Sequence, residues 1–358
     1  MLGYFGANNW GDELILRSFL QTYREMLQAT GMRLSVTMKQ PPHQVYREDL
    51  KALYPGLRFT AMSPFLPVSP ALSSYRFLFC PGGSLLQNVT SNRSLKYYLG
   101  IIGRFTRGQR KALLLNQGLG PISGDRFVQA TRRTLSRVAL FTARDEDTLA
   151  WMRTNVPRAN LQLSSDAAFA GEQEFATAGD THPQRVFVFA LREGIAEEAM
   201  EFALGSVPRT HSVYLAALQT VDLHYLRDLR ARTRFPHERV KVMGAGEFAR
   251  RLPGCSVVVS ERYHGLVAAL IARVPFVGIG DDPKIVSFCK EAGMPYFVRD
   301  ALHEATAEEL LNRARASYDR QRMDKLISTF RQRQDEQKKL VAAIIQAEGK
   351  PASMTDNR

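Results

Sequence analysis

Residues 260–284, SERYHGLVAALIARVPFVGIGDDPK, admit very few local folds. An apolar run at 256–259 ends in a polar cluster, Glu261, Arg262 and His264. Residues 266–271 are too continuously apolar for a surface helix, and Pro275 closes that segment. A second apolar run, 276–279, ends in Asp281, Asp282 and Lys284. This is a β-α-β unit with charged groups at the carboxyl ends of both strands. In open parallel sheets ligands bind just outside those ends. Arg262, His264 and Lys284 are therefore expected to converge on an anion, with an imidazole available to move protons. The plain alternatives are a histidine with no chemistry near a helix start, and an exposed loop lysine after Pro283.

A chain of 358 residues exceeds one ordinary core and fits two domains. Hydrophobic content of 45% and charged content of 23% are those of a soluble globular protein. No apolar run reaches the roughly 20 residues that span a bilayer. No secretory signal is visible at the start. Cys80, Cys255 and Cys289 lie in mostly apolar contexts without metal-ligand spacing, and read as buried thiols in a reducing cytosol. The net charge of +13 favours polyanions, anionic membrane surfaces or small anionic substrates. No recognition motif speaks for nucleic acid. A solvated basic surface is the alternative.

The chain opens with a glycine-containing turn, Gly3, Gly6 and Gly11, before a helical pattern at 14–27. Only two residues precede the turn, so the first strand is expected to be short or missing. Glycines there let backbone N–H groups approach a ligand. Asn8 belongs to this turn. Asp12 and Glu13 suit either chemistry or the dipole of a first helical turn. A strand at 75–80 is expected to end in a second glycine turn containing Gly82 and Gly83. A strand at 111–116 runs into Gln117, Gly118 and Gly120. Arg144 follows a short strand at 138–142, where it could meet an anion or pair with adjacent carboxylates. Asp166 follows a strand at 161–163.

Residues 170–184 are polar and aperiodic, so the linker is placed there. The second half alternates strands at 185–191, 213–218 and 240–243 with helices, then enters the 260–284 unit. Arg192 and Glu193 follow the first of these strands. The expected layout is an N-terminal Rossmann-like domain at 1–172, a C-terminal one at 185–306, helices at 307–348 and a disordered tail at 349–358. The class is α/β, two doubly wound domains facing across a cleft. The helical pattern after residue 307 has an apolar stripe and a basic face. Packing on its own domain is the first reading, and contact with an anionic membrane the second.

The segments GYFGANNWGDELIL, PGGSLLQN, NQGLGP, ARDEDTLAWM, SDAAF and SERYHGLVAALIARVPFVGIGDDPK together resemble the polysaccharide pyruvyl transferase family, most of all its secondary cell-wall polymer members. They occur in the family's order from residue 3 to about residue 290. The family's usual glycine triplet reads Pro81-Gly82-Gly83 here. Its Arg-Leu-His is Arg262-Tyr263-His264, and its Tyr-Asp-Pro-Lys is Asp281-Asp282-Pro283-Lys284. The resemblance implies a GT-B-like pair of Rossmann-like domains. It implies phosphoenolpyruvate as donor, a lipid-linked saccharide acceptor such as N-acetylmannosamine, and a cyclic pyruvate ketal as product. It implies no cofactor and no metal, and a cytoplasmic protein peripheral at the inner face of the membrane.

Such a donor carries a phosphate and a carboxylate on one small frame, so its site needs several fixed cations. His264, Arg262 and Lys284 are the candidate catalytic residues. Arg144, Arg192, Asp12, Asp166, Gly82, Gly83 and Asn8 are the candidate substrate-binding residues. The C-terminal domain is expected to hold the donor and the N-terminal domain the acceptor. The alternatives are a nucleotide-sugar glycosyltransferase on the same architecture and a non-catalytic scaffold of envelope polysaccharide synthesis.

Overall fold

A computed structural model describes residues 1–89, 91–108, 110–171, 186–192, 206–208, 210–232, 239–298 and 306–349. The expected linker after residue 171, Glu193 and the tail from residue 350 lie outside the described residues. The chain divides into two compact units. The first comprises Met1–Ala7, Leu14–Ala170 and Phe330–Arg358, and the second Asn8–Glu13 and Gly171–Thr329.

The first unit carries β1 (Ser35–Met38), β2 (Arg58–Ala61), β3 (Phe77–Leu86), β4 (Lys111–Leu119), β5 (Leu140–Ala143) and β6 (Leu161–Leu163). Its helices are α1 (Trp10–Ala29) from Leu14 onward, α2 (Gln44–Leu53), α3 (Asn92–Phe105), α4 (Asp125–Leu135) and α5 (Glu146–Asn155). β1 pairs with β2, and β3 to β6 pair in sequence order, all in parallel. Residues 1 and 2 fill the place between the two sheets. The Leu2 N–H donates to the Phe79 carbonyl at 2.8 Å, and the Thr37 N–H donates to the Met1 carbonyl at 3.0 Å. Counted as the first strand, that segment gives the order third, second, first, fourth onward, which is the Rossmann order. No strand forms at residues 1 and 2, which hold the first-strand place by these backbone bonds. Leu2 is buried, and so are Val36, Met38, Phe79 and Leu113 to Leu115, as an interior sheet covered on both faces requires.

Two glycine turns expected at strand ends are strand instead. β3 runs through Pro81, Gly82 and Gly83 to Leu86, and β4 runs through Gln117 to Leu119. Gly82 and Gly83 sit at φ 92° and 87°, and the register slips between Gly83 and Leu86. Only glycine adopts those angles without strain, so the pair makes an irregularity inside the strand and not its end.

The second unit carries β7 (Val186–Ala190), β8 (Ser212–Ala217), β9 (Val240–Gly244), β10 (Val257–Ser260), β11 (Phe276–Ile279) and β12 (Tyr296–Phe297). Its helices are α6 (Thr220–Arg232), α7 (Ala245–Arg251), α8 (Tyr263–Ile271), α9 (Pro283–Ala292) and α10 (Ala307–Ser317). The sheet order is β12-β11-β10-β7-β8-β9, all parallel, again the Rossmann order. The order reverses between β7 and β10, and in sheets of this kind ligands bind outside the carboxyl ends of the strands at such a reversal. α8 is buried at every position from Gly265 to Ile271, which explains its uninterrupted apolar sequence.

The helical pattern after residue 307 divides into α10 and α11 (Arg320–Gly349), with a break at Tyr318 and Asp319. Met323, Ile327, Phe330, Val341 and Ile345 are buried, so the apolar stripe of α11 packs inside. α11 passes from the second unit to the first at Phe330. Within the first unit its Gln337 side chain accepts from the Thr142 hydroxyl and donates to Tyr23 Oη and Asn116 Oδ1, each at 2.9 Å. All three cysteines are free thiols, and burial pushes each up to about 12.

Candidate active site

The carboxyl edge of the second sheet is built from the residue that follows each strand. After β7, the Arg192 N–H donates to Glu261 Oε2 at 2.8 Å, and after β10 the Glu261 N–H donates to the Ala190 carbonyl at 2.9 Å. These two bonds close the rim at the switch point. The Arg192 side chain is exposed beside it. After β8, Asp222 in the first turn of α6 accepts from the Gln219 N–H at 3.1 Å and is wholly buried. The same carboxylate receives Arg262 in a two-point clasp, Nε on Oδ2 at 3.0 Å and Nη2 on Oδ1. Arg262 is the N-cap of α8, and its N–H donates to Ser260 Oγ at 3.0 Å. Both its backbone and its guanidinium are therefore fixed. After β11, Asp282 caps α9 by accepting from the Lys284 N–H at 3.2 Å and pairs with Lys284 Nζ at 2.8 Å.

One further piece comes from the start of the chain. Residues 8–13 group with this unit and not with the N-terminal one. The segment pairs with the loop after β8. Trp10 N–H donates to the Leu218 carbonyl at 2.9 Å, Thr220 N–H donates to the Asn8 carbonyl at 3.1 Å, and Asn9 bridges Gln219 antiparallel. Trp10 adds an edge-on contact with Phe248 at 5.6 Å. Asn8 adopts a left-handed φ of 54° to make the turn, and its candidate role reduces here to backbone geometry. Asn9 then organises the helix start: its Oδ1 accepts from the Gly11 N–H at 3.3 Å and its Nδ2 donates to Asp12 Oδ2 at 2.7 Å.

The His264 imidazole lies against Gly11, where any side chain would strike it. Tyr263 meets the ring edge-on at 5.3 Å and itself packs on Phe288 of α9. Asp12 is half-buried, and burial raises its carboxyl to about 7. The charge of His264, the Asn9 hydrogen bond and the charge of Lys284 pull it down, while Glu13 pushes it up. So Asp12, His264 and Lys284 share one electrostatic neighbourhood, with Arg262 two residues from the histidine. The cluster offers a carboxyl that exchanges protons near neutrality, an imidazole and two cations.

Arg144, Asp166, Gly82 and Gly83 belong to the first unit and form a set of their own. Arg144 is buried. Its Nε lies 3.4 Å from Asp145 Oδ2, its Nη1 3.7 Å from Asp166 Oδ2, and its Nη2 donates to Ser84 Oγ at 3.4 Å. A Cβ on Gly118 would lie 2.8 Å from Arg144 Cζ, so β4 needs glycine to pass that guanidinium. Asp166 Oδ1 accepts from the Ala168 N–H at 3.0 Å. Gln117 Nε2 holds the Cys80 and Gly82 carbonyls at 2.8 and 3.0 Å. The ion pair with the neighbouring carboxylate, one of two sequence readings of Arg144, is present.

Sequence reasoning missed Asp222 and Asn9. A lone aspartate just inside a helix reads as a cap, and Asp222 is one, yet it also holds the arginine. Among the described residues no group of His, Cys, Asp and Glu could hold a metal ion.

The family model for polysaccharide pyruvyl transferases matches residues 9–283. The chain belongs to this family, and it is a transferase. No curated protein matches the chain in sequence. Solved structures share its fold at low identity. S. aureus MnaA with UDP is 11% identical at a TM-score of 0.61, covering 87% of this chain and 88% of that one. A putative UDP-N-acetylglucosamine 2-epimerase from Listeria monocytogenes is 13% identical at 0.60, with the same coverage of 87% and 88%. Anabaena HepE with UDP is 10% identical at 0.55, covering 90% and 95%. These likenesses place the chain among GT-B-type folds built of two Rossmann units.

Proposed function

We propose that the chain transfers the pyruvyl group of phosphoenolpyruvate to two hydroxyls of a hexosamine, N-acetylmannosamine of a lipid-linked cell-wall polymer precursor, and releases phosphate. The observation that carries the donor half is the gathering of Lys284, His264 and Asp12 at the carboxyl edge of the second sheet, with Arg262 clasped beside them. Lys284 and Arg262 meet the phosphate and carboxylate of the donor. His264 delivers a proton to the methylene carbon, which becomes the methyl group and leaves an oxocarbenium-like centre at C2. One sugar hydroxyl attacks that carbon and gives up its proton. The C2–O bond to phosphate breaks, the second hydroxyl closes the ring, and its proton leaves with phosphate. Two C–O bonds form, one breaks, and no redox partner is needed.

Asp12, ionising near 7, takes the first hydroxyl proton in this scheme. Arg192, exposed at the switch point, reaches for the donor carboxylate. Arg144, Asp166, Gly82 and Gly83 serve the acceptor. Use of phosphoenolpyruvate and a lipid-linked acceptor puts the enzyme at the inner face of the cytoplasmic membrane, and among the described residues no helix is long and apolar enough to cross one.

The test is incubation of the protein with phosphoenolpyruvate and N-acetylmannosamine-terminated acceptor. Phosphate release with a matching mass gain on the acceptor supports the reading. No gain with any hexosamine or galactose acceptor overturns it, and turnover of a UDP-sugar in its place makes the chain a glycosyltransferase. Removing one charge-assisted contact with Lys284→Ala costs roughly 1.5–3 kcal/mol, so the donor KM rises at least about tenfold. His264→Ala keeps donor binding and lowers kcat by about two to four orders of magnitude.

A further inference from the structure

The basic charge of this chain is not spread evenly. Between Asp49 and Asp125 there is no Asp or Glu, while nine Lys or Arg occur. α3 lies within that stretch, α4 begins at the Asp125 that ends it, and the two pack side by side. Between them runs a groove of about 290 Å³ lined by Arg104, Arg107, Arg133 and Arg137 over Leu99, Gly100, Gly103 and Ala130. Arg107, Arg133 and Arg137 are exposed, and Arg104 is half-buried. Among the described residues no carboxylate lines the groove or pairs with any of the four.

The groove has an apolar neighbour. Gly100, part of its floor, is also where the 63–68 loop touches α3: a Cβ there would meet Pro67 at 3.2 Å. Tyr97 Oη donates to the Ser63 carbonyl at 3.0 Å and pins the other end of the loop. So held, the loop turns Phe65 and Val68 outward, 75% and 65% exposed. A fixed loop showing an aromatic ring to solvent, next to four uncompensated guanidiniums, is not what a surface facing only water requires.

We propose that this face docks on an anionic lipid bilayer. The arginines meet lipid phosphates, and Phe65 and Val68 enter the headgroup region. The source of the phosphate is the membrane surface and not a free small anion. A single soluble phosphate gives the exposed apolar side chains Phe65 and Val68 no partner. This inference is independent of the donor chemistry and survives its failure.

The experiment is co-sedimentation of the full chain with vesicles of phosphatidylcholine alone or mixed three to one with phosphatidylglycerol. We expect binding to the mixed vesicles only, reduced by salt. Each arginine near the surface is worth about 1 kcal/mol, or about fivefold. The combined Arg104→Gln, Arg107→Gln, Arg133→Gln, Arg137→Gln variant is expected to lose at least about tenfold in partitioning. Phe65→Ser is expected to lose the part that resists salt. If the fourfold variant does not fold, Arg137→Gln alone, at an exposed position, reads the same effect at about fivefold. Turnover of a soluble acceptor should match wild type in every variant. Equal binding to neutral vesicles, wild-type partitioning by the arginine variants, or displacement by millimolar inorganic phosphate beyond the effect of matched ionic strength would each overturn the proposal.

Discussion

The His264 ring rests on the α-carbon of Gly11: a Cβ placed there would lie 2.6 Å from His264 Cγ and closer still to Nδ1. The histidine of the 260–284 unit and the glycine of the first turn are one piece of structure. Substituting alanine for a helical glycine usually stabilises by about 1 kcal/mol. Here the collision reverses the sign, since overpacking costs about 1–3 kcal/mol. Gly11→Ala is expected to lower kcat at least tenfold with little change in far-UV circular dichroism. A variant with wild-type kcat would show that the ring's seat does not matter.

Asp12 gives the protein a pH signature. Its carboxyl titrates near 7 in the folded chain against an ordinary value of 3.8. Between those limits the folded state holds more protons than the unfolded state, so this group's contribution is full at low pH and is lost as pH rises through 7. Asp12→Asn removes that slope. The thermal midpoint of the variant relative to wild type should climb from pH 5 to about pH 7 and then level off. A constant difference across the range would disprove the assignment.

The Asp222–Arg262 clasp should be strongly coupled. Removing one partner of a buried pair costs about 3–5 kcal/mol, and the partial exposure of Arg262 places this one at the lower end. Arg262→Ala strands the wholly buried Asp222 carboxylate, whereas Asp222→Ala leaves a guanidinium that reaches water, so Arg262→Ala should cost more stability than Asp222→Ala. The double variant should cost less than the two single losses added, by about 1 kcal/mol or more in a denaturation cycle.

Gln337 is the polar centre of the first unit, tying α11 to β4, β5 and α1. Gln337→Leu leaves buried groups on Thr142, Asn116 and Tyr23 without their partner. A loss of about 2–4 kcal/mol is expected by chemical denaturation, with donor affinity unchanged.

The 260–284 stretch was legible because local chemistry dictates it. An apolar run, a buried helix and two charged strand ends allow one arrangement, and the structure has it. The alternation of strands and helices likewise announced two doubly wound units. What stayed hidden depends on contacts distant in sequence. Residues 8–13 look like the property of the N-terminal domain because they follow its first strand. Their hydrogen bonds to residues 218–220 are invisible from composition. Pro81-Gly82-Gly83 reads as a stop, since glycine and proline usually punctuate, yet both neighbouring carbonyls are held by Gln117 from the next strand and β3 continues. The stripe on α11 was readable. That it serves two units was not, because the change occurs within an unbroken helix at Phe330.

That interleaving bears on how the protein can be dissected. Cutting in the polar stretch near residue 175 looks like the natural way to obtain two autonomous fragments. The N-terminal product would lack Gln334 and Gln337, leaving Asn116, Thr142 and Ser165 to expose or bury unmet groups. The C-terminal product would lack the 8–13 segment, and with it Trp10 against Phe248 and the seat of the His264 ring. Complementation between the two fragments would restore what neither carries alone. A faithful C-terminal fragment has to be made by grafting residues 8–13 onto it through a new loop.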